Sequence, residues 1–165
     1  MITSVAQIAA LVSITAVSCA VIYCDLRMMR IPNILSGIVL TVFLVLIAPT
    51  LTLNGLVLQL AICAVVGILT FTAFFFRALG GGDVKILTAL SLFIPLSALN
   101  AILLMFSLAL VISTSLIVLG RRLVTTPDSE WVFLRSEKLP MGVAIGLTGA
   151  CACIYTLVSP IVWGL

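Results

Sequence analysis

The chain is a succession of long apolar runs: Val5 to Cys24, Ile34 to Ala48, Leu56 to Phe76, Val84 to Gly120 and Met141 to Trp163. A helix that crosses the hydrocarbon core of a bilayer needs about 20 predominantly apolar residues, with a range of roughly 17–25. The region from Val84 to Gly120 holds 37 residues. At about 1.5 Å of rise per residue it would make a helix of roughly 55 Å, too long for one crossing. Pro95 and the polar residues Ser97 and Asn100 break it, which gives one span from Val84 to about Leu96 and another from Leu99 to Leu119. The expected fold is all-α, a polytopic membrane helical bundle of about six transmembrane helices forming a single membrane-embedded domain over 1–165. Spans two and four are short. Short or interrupted helices are tolerated where they line a polar cavity, so these two are expected to border any site.

Composition sharpens the exclusions. Hydrophobic residues make up 64% of the chain and charged residues 8%, against roughly 25% charged in soluble domains. So few charges cannot cover a water-soluble globule. A net charge of +3 is too small for a phosphate-tracking surface, so the lipid membrane is an expected partner and nucleic acid is not. Histidine is absent. That removes Ser-His-Asp triads, Cys-His pairs and His-ligated metals, and no cofactor and no metal are expected.

The charges also orient the chain. Arg27 and Arg30 follow span one, Arg77 and Lys85 flank the connection between spans three and four, and Arg121, Arg122, Arg135 and Lys138 lie between spans five and six. All eight basic residues therefore fall on one side, which the positive-inside rule makes cytoplasmic. Both termini are then expected to face outward. With no Lys or Arg ahead of its apolar run, the N-terminus lacks the n-region of a cleavable signal peptide. The one sizeable polar stretch, 121–139, reads in two ways. Thr126 followed by Pro127 looks like a helix start, and Trp131, Phe133 and Leu134 alternate with charges as in a short cytoplasmic interfacial helix. A solvated loop with an aromatic anchor fits equally well.

The five cysteines, Cys19, Cys24, Cys63, Cys151 and Cys153, lie in or at the ends of apolar spans without a CxxC. They read as small packing residues. Gly142, Gly146 and Gly149 form a small face on the last span, which suggests close packing against a neighbouring helix.

Of the five acidic residues, Asp128, Glu130 and Glu137 sit in the polar stretch. Asp25 and Asp83 lie at the boundaries of spans one and four. A carboxylate at the bilayer centre costs roughly 2.5–3.5 kcal/mol, and less near the interface. The two are therefore either functional groups or ordinary boundary charges paired with Arg27 and Lys85. Both spans end on the same side, so the carboxyls can converge at one depth. Two carboxyls held close do not both ionise easily, and one keeps a proton near neutral pH. The ionised one then serves as general base on a water, while the protonated one donates to a scissile carbonyl oxygen. The pair titrates as a unit. Gly80, Gly81 and Gly82 can adopt positive φ and admit another backbone closely, as an extended substrate strand would require. The alternative is a flexible turn. GGGDVK has neither P-loop nor dinucleotide-binding spacing.

At these residues the sequence resembles a known family. Asp25-Leu26-Arg27 followed by Ile31-Pro32-Asn33 resembles the first active-site segment of the type IV prepilin peptidases. Gly80-Gly81-Gly82-Asp83-Val84-Lys85 resembles the second, the Gly-x-Gly-Asp motif of intramembrane aspartyl proteases. Leu139-Pro140-Met141-Gly142-Val143-Ala144-Ile145 resembles a third segment, with Met141 where the family usually has tyrosine. The chain lacks the cytoplasmic insertion and paired CxxC motifs of larger members, which also methylate the new N-terminus. It looks like the small members that serve tight-adherence (Flp-type) pilus systems.

The resemblance implies a peptidase domain in a bacterial cytoplasmic (inner) membrane, without methyltransferase activity. Asp25 and Asp83 would be the catalytic pair, and Arg27, Asn33, Gly80, Gly81, Gly82 and Lys85 motif or substrate-positioning residues. Arg27 and Lys85 read either as partners of the aspartates or as plain positive-inside anchors. The implied partner is a prepilin or pseudopilin substrate, with a short leader and a hydrophobic helix, cut on the cytoplasmic side. A presenilin-like protease of other specificity is a variant of this reading. A small transporter or channel subunit that binds a cation or relays protons through the two aspartates is an alternative, although no inverted repeat relates the two halves. A structural membrane subunit is a third.

Overall fold

Runs this apolar leave the backbone one way to satisfy its N–H and C=O groups away from water, which is to bond within the segment as a helix. The computed structural model describes residues 2–123 and 140–158, and all regular structure among them is helical. Six α-helices follow in order: α1 Ile2–Met28, α2 Asn33–Val42, α3 Leu53–Phe75, α4 Gly81–Ser91, α5 Leu99–Leu123 and α6 Met141–Val158. The polar stretch 124–139, with its expected interfacial helix, lies outside the described residues.

Local chemistry sets the breaks. Met29 stops α1 in a left-handed conformation (φ 49°), with its N–H on the Asp25 carbonyl at 2.9 Å. Pro32, extended at φ −62° and ψ 138°, then leads into α2. The second span continues past α2 through a π-turn, Phe43–Ile47, and a 3-10 turn, Ala48–Thr50. The ladder widens just ahead of Pro49, which has no N–H for the Val45 carbonyl and crowds it. Thr52 caps α3 by accepting the Gly55 N–H at 3.2 Å. At the far end Arg77 takes φ 59°. There the Arg77 N–H bonds Phe74 O (2.8 Å) and the Ala78 N–H bonds Ala73 O (2.9 Å), a Schellman stop in which arginine holds the place glycine usually takes.

Among the described residues four segments are long and apolar enough to cross a membrane: Val5–Met28, Asn33–Thr50, Leu53–Phe75 and Leu96–Gly120. Helix α4 is shorter than the expected span. It ends at Ser91 rather than running to Leu96, and at 11 residues it rises only about 16 Å. Its C-terminal end is held by a side chain from another helix: buried Gln59 on α3 donates Nε2 to the Leu92 carbonyl at 2.7 Å.

Helix α1 packs mainly on α6, α4 on α2 and α3, and α5 on α6. The largest core cluster joins Ile14, Val17 and Val21 of α1 to Leu35 and Val39 of α2, Ile86 and Ala89 of α4 and Ile145 of α6. The small face of α6 meets α1, where a Cβ at Gly146 would strike Ile22 and the Ser18 carbonyl, and one at Gly149 the Ser18 hydroxyl. Outward positions such as Val12, Leu44, Ile68, Leu104 and Val111 are large, apolar and exposed, a surface suited to hydrocarbon rather than water.

Candidate active site

Three breaks in the helical ladder meet at one end of the bundle: the turn after α1, the start of α4 and the start of α6. Asp25 sits in the last turn of α1 and is 5% exposed. The N–H groups of Gly142 and Val143, in the first turn of α6, hydrogen-bond its carboxyl. These are donors that a helix start leaves without an internal partner, and their position at the positive end of the helix dipole favours a negative charge. The Asp25 Oδ2 atom is buried and has no partner among the described residues. The contact with α6 exists because residue 142 is glycine, since a Cβ there would lie 2.7 Å from both Cγ and Oδ2 of Asp25.

Asp83 is the third residue of α4 and is half-buried. Its Oδ2 accepts the Gly80 N–H at 3.1 Å, so it reaches back over the helix start as an N3 carboxylate does in a capping box. The expected positive φ in the glycine run is not used. Gly80 is extended (φ −79°, ψ 150°) and Gly81 and Gly82 are the first two residues of α4. Once Gly80 is capped by Asp83, the helix propagates from Gly81. The backbone that comes close at Gly82 is the chain's own, where a Cβ would lie 3.1 Å from the Ile31 carbonyl oxygen. Asp25 and Asp83 lie near enough to interact electrostatically.

A second link ties the same elements. Exposed Lys85 donates Nζ to Asn33 Oδ1 at 2.9 Å, joining the N-terminal half of α4 to the first residue of α2. The structure thus gathers Asp25, Asn33, Gly82, Asp83 and Lys85 in one place. Gly81 rests against Phe74 of α3, with 3.6 Å from a Cβ to the ring, away from the Ile31 contact. Arg27 is exposed, donates to the Tyr23 hydroxyl and lies over that ring at 5.8 Å from its centroid. Sequence reasoning gave Gly142 a packing role and a place in the third family-like segment, and missed its contact with Asp25. The available signal was Pro140 directly ahead of a helix whose second residue has no side chain.

The sequence profile of the type IV leader peptidase family matches residues 12–119. The chain belongs to that family. The matched stretch contains both aspartates and the whole Gly80–Lys85 run. Membership makes the chain a peptidase of the membrane, with prepilins as its class of substrate. No curated protein and no solved structure matches it.

Proposed function

We propose that this leader peptidase is an aspartyl endopeptidase that removes the leader of Flp-type prepilins, with Asp25 and Asp83 as its catalytic pair. The observation that carries the reading is a buried carboxyl on α1 in electrostatic range of a second carboxyl at the start of α4. Carboxyl pairs of this kind share a proton. The ionised member takes a proton from a water, whose oxygen attacks the scissile carbonyl carbon. The protonated member gives its proton to the carbonyl oxygen. The resulting tetrahedral species collapses, and the leaving amine takes up a proton as the C–N bond breaks. No histidine is needed.

Orientation follows from the basic residues, since Arg27, Arg30, Arg77 and Lys85 surround the aspartates along the sequence. The positive-inside rule puts that end in the cytoplasm, with cleavage at the cytoplasmic face of the bacterial inner membrane and the termini outward. The peptidase domain spans 1–165. The proposal does not extend to methyl transfer, since these 165 residues hold no CxxC pair.

The test is leader cleavage of a Flp-type prepilin in membranes that hold wild type, Asp25→Asn or Asp83→Asn. Asparagine keeps the side-chain shape and removes the ionisation. Both variants are expected to accumulate and to lose cleavage by at least about 1,000-fold. Near wild-type cleavage by either one removes that aspartate from the mechanism.

A further inference from the structure

We propose that Gly142 is a positioning residue for Asp25: its missing side chain lets the first turn of α6 close on the carboxyl and fix its orientation. The inference rests on the aspartyl reading and adds to it a role for a residue of the third segment, to which the resemblance assigns none and which lies outside the stretch that the family profile matches.

Three observations meet here. A Cβ at residue 142 would lie 2.7 Å from Asp25 Cγ and Oδ2 and 2.8 Å from Asp25 Cβ, a distance at which something must move. The Gly142 and Val143 N–H groups hydrogen-bond that carboxyl. Asp25 is 5% exposed and its Oδ2 has no hydrogen-bond partner among the described residues. What orients it is therefore its own backbone on α1 and the start of α6. A buried oxygen left without a partner calls for a reason. Holding the carboxyl from one side while keeping its second oxygen uncommitted supplies one, because a group that must take or give a proton is of no use if both oxygens are locked. Gly146 and Gly149, further along α6, do a different job: their missing side chains meet Ile22 and Ser18 and serve helix packing alone.

The experiment compares full-length wild type, Gly142→Ala, Gly146→Ala, Asp25→Asn and Asp83→Asn in proteoliposomes. It measures kcat and KM for a Flp-type prepilin and normalises to folded protein by thermal unfolding. Gly142→Ala is expected to fold, to keep KM within about threefold and to lose on the order of 100-fold in kcat, the scale of a catalytic group displaced by about an ångström. Gly146→Ala is expected to lower the unfolding temperature while its folded fraction keeps wild-type kcat. If Gly142→Ala does not fold, Val143→Pro decides. It removes one of the two donors in the first helical turn, where proline is tolerated. The same loss of kcat at constant KM supports the proposal. Wild-type kcat in folded Gly142→Ala, or in Val143→Pro, overturns it. So does a Gly146→Ala defect in kcat equal to that of Gly142→Ala. Cleavage by Asp25→Asn or Asp83→Asn overturns the aspartyl reading itself and is told apart by those two arms.

Discussion

The two glycines at the start of α4 separate a positional requirement from a merely permissive one. Alanine is favoured over glycine inside a helix by up to about 1 kcal/mol, so either substitution would stabilise α4 if nothing opposed it. At Gly81 nothing does, since a Cβ would sit 3.6 Å from the Phe74 ring, an ordinary contact. At Gly82 it would press on the Ile31 carbonyl oxygen and Cβ at 3.1 Å, both part of the turn that carries the chain from Asp25 to Asn33. Gly81→Ala is therefore expected to cleave prepilin at the wild-type rate, and Gly82→Ala to lose on the order of 10-fold as the start of α4 and Asp83 shift away from that turn. Rates normalised to folded protein check it, and equal rates for the two variants would remove Ile31 from the account. Asp25 and Asp83 stood out in the sequence because each is a carboxylate bordering a long apolar run. Gly142 did not stand out as a site residue. Its spacing to Gly146 is that of any packed membrane helix, and the one local signal, Pro140 ahead of a bare second helical residue, does not name the partner on the first helix.

Among the elements, α4 departs furthest from its sequence pattern, and its end is held by a polar contact. The apolar composition from Val84 to Leu96 reads as one span, but the helix stops at Ser91. A short helix exposes carbonyls at its end. The amide of Gln59 meets the Leu92 carbonyl inside the bundle at 2.7 Å. Hydropathy locates helices by their carbon content, whereas this end tightens into i→i−3 bonds (Phe93 N–H to Leu90 O, Ile94 N–H to Ser91 O) four residues ahead of Pro95 and is held by a hydrogen bond between residues 33 positions apart. The glycine run was opaque for a related reason: whether Gly81 starts a helix or a loop depends on Asp83 reaching back to the Gly80 N–H. Gln59→Leu keeps the volume and removes the donor. It is expected to destabilise the protein by about 1–2 kcal/mol, the upper part of the range for membrane hydrogen bonds, because the orphaned carbonyl stays buried. Thermal unfolding in detergent reads this, and kcat per folded molecule is expected to hold because the Leu92 end of α4 lies opposite the Asp83 end.

For the whole molecule, the order of helices followed from the apolar runs, while the pairing of α1 with α6 did not, since a bundle's neighbours are chosen by packing between segments more than 100 residues apart. Orientation rests on charge placement. Along the sequence all eight basic residues fall at span ends or between spans on what the span order makes the side of Asp25 and Asp83, whereas the stretch from Pro49 to Gly55 carries none. This predicts a labelling pattern in a background where the five native cysteines are replaced by alanine. Asn54→Cys, exposed near the start of α3, is expected to react with a membrane-impermeant maleimide in intact spheroplasts. Arg30→Cys and Arg77→Cys, both exposed at the end that holds the aspartates, are expected to react only after permeabilisation. Retained prepilin cleavage by the cysteine-free parent makes the pattern report on an active fold. The reverse pattern would turn the site to the outer face, where a substrate whose leader stays in the cytoplasm has no access to it. The peptidase would then have to act on chains already translocated, and the charge argument and the cytoplasmic cleavage it supports would fall together.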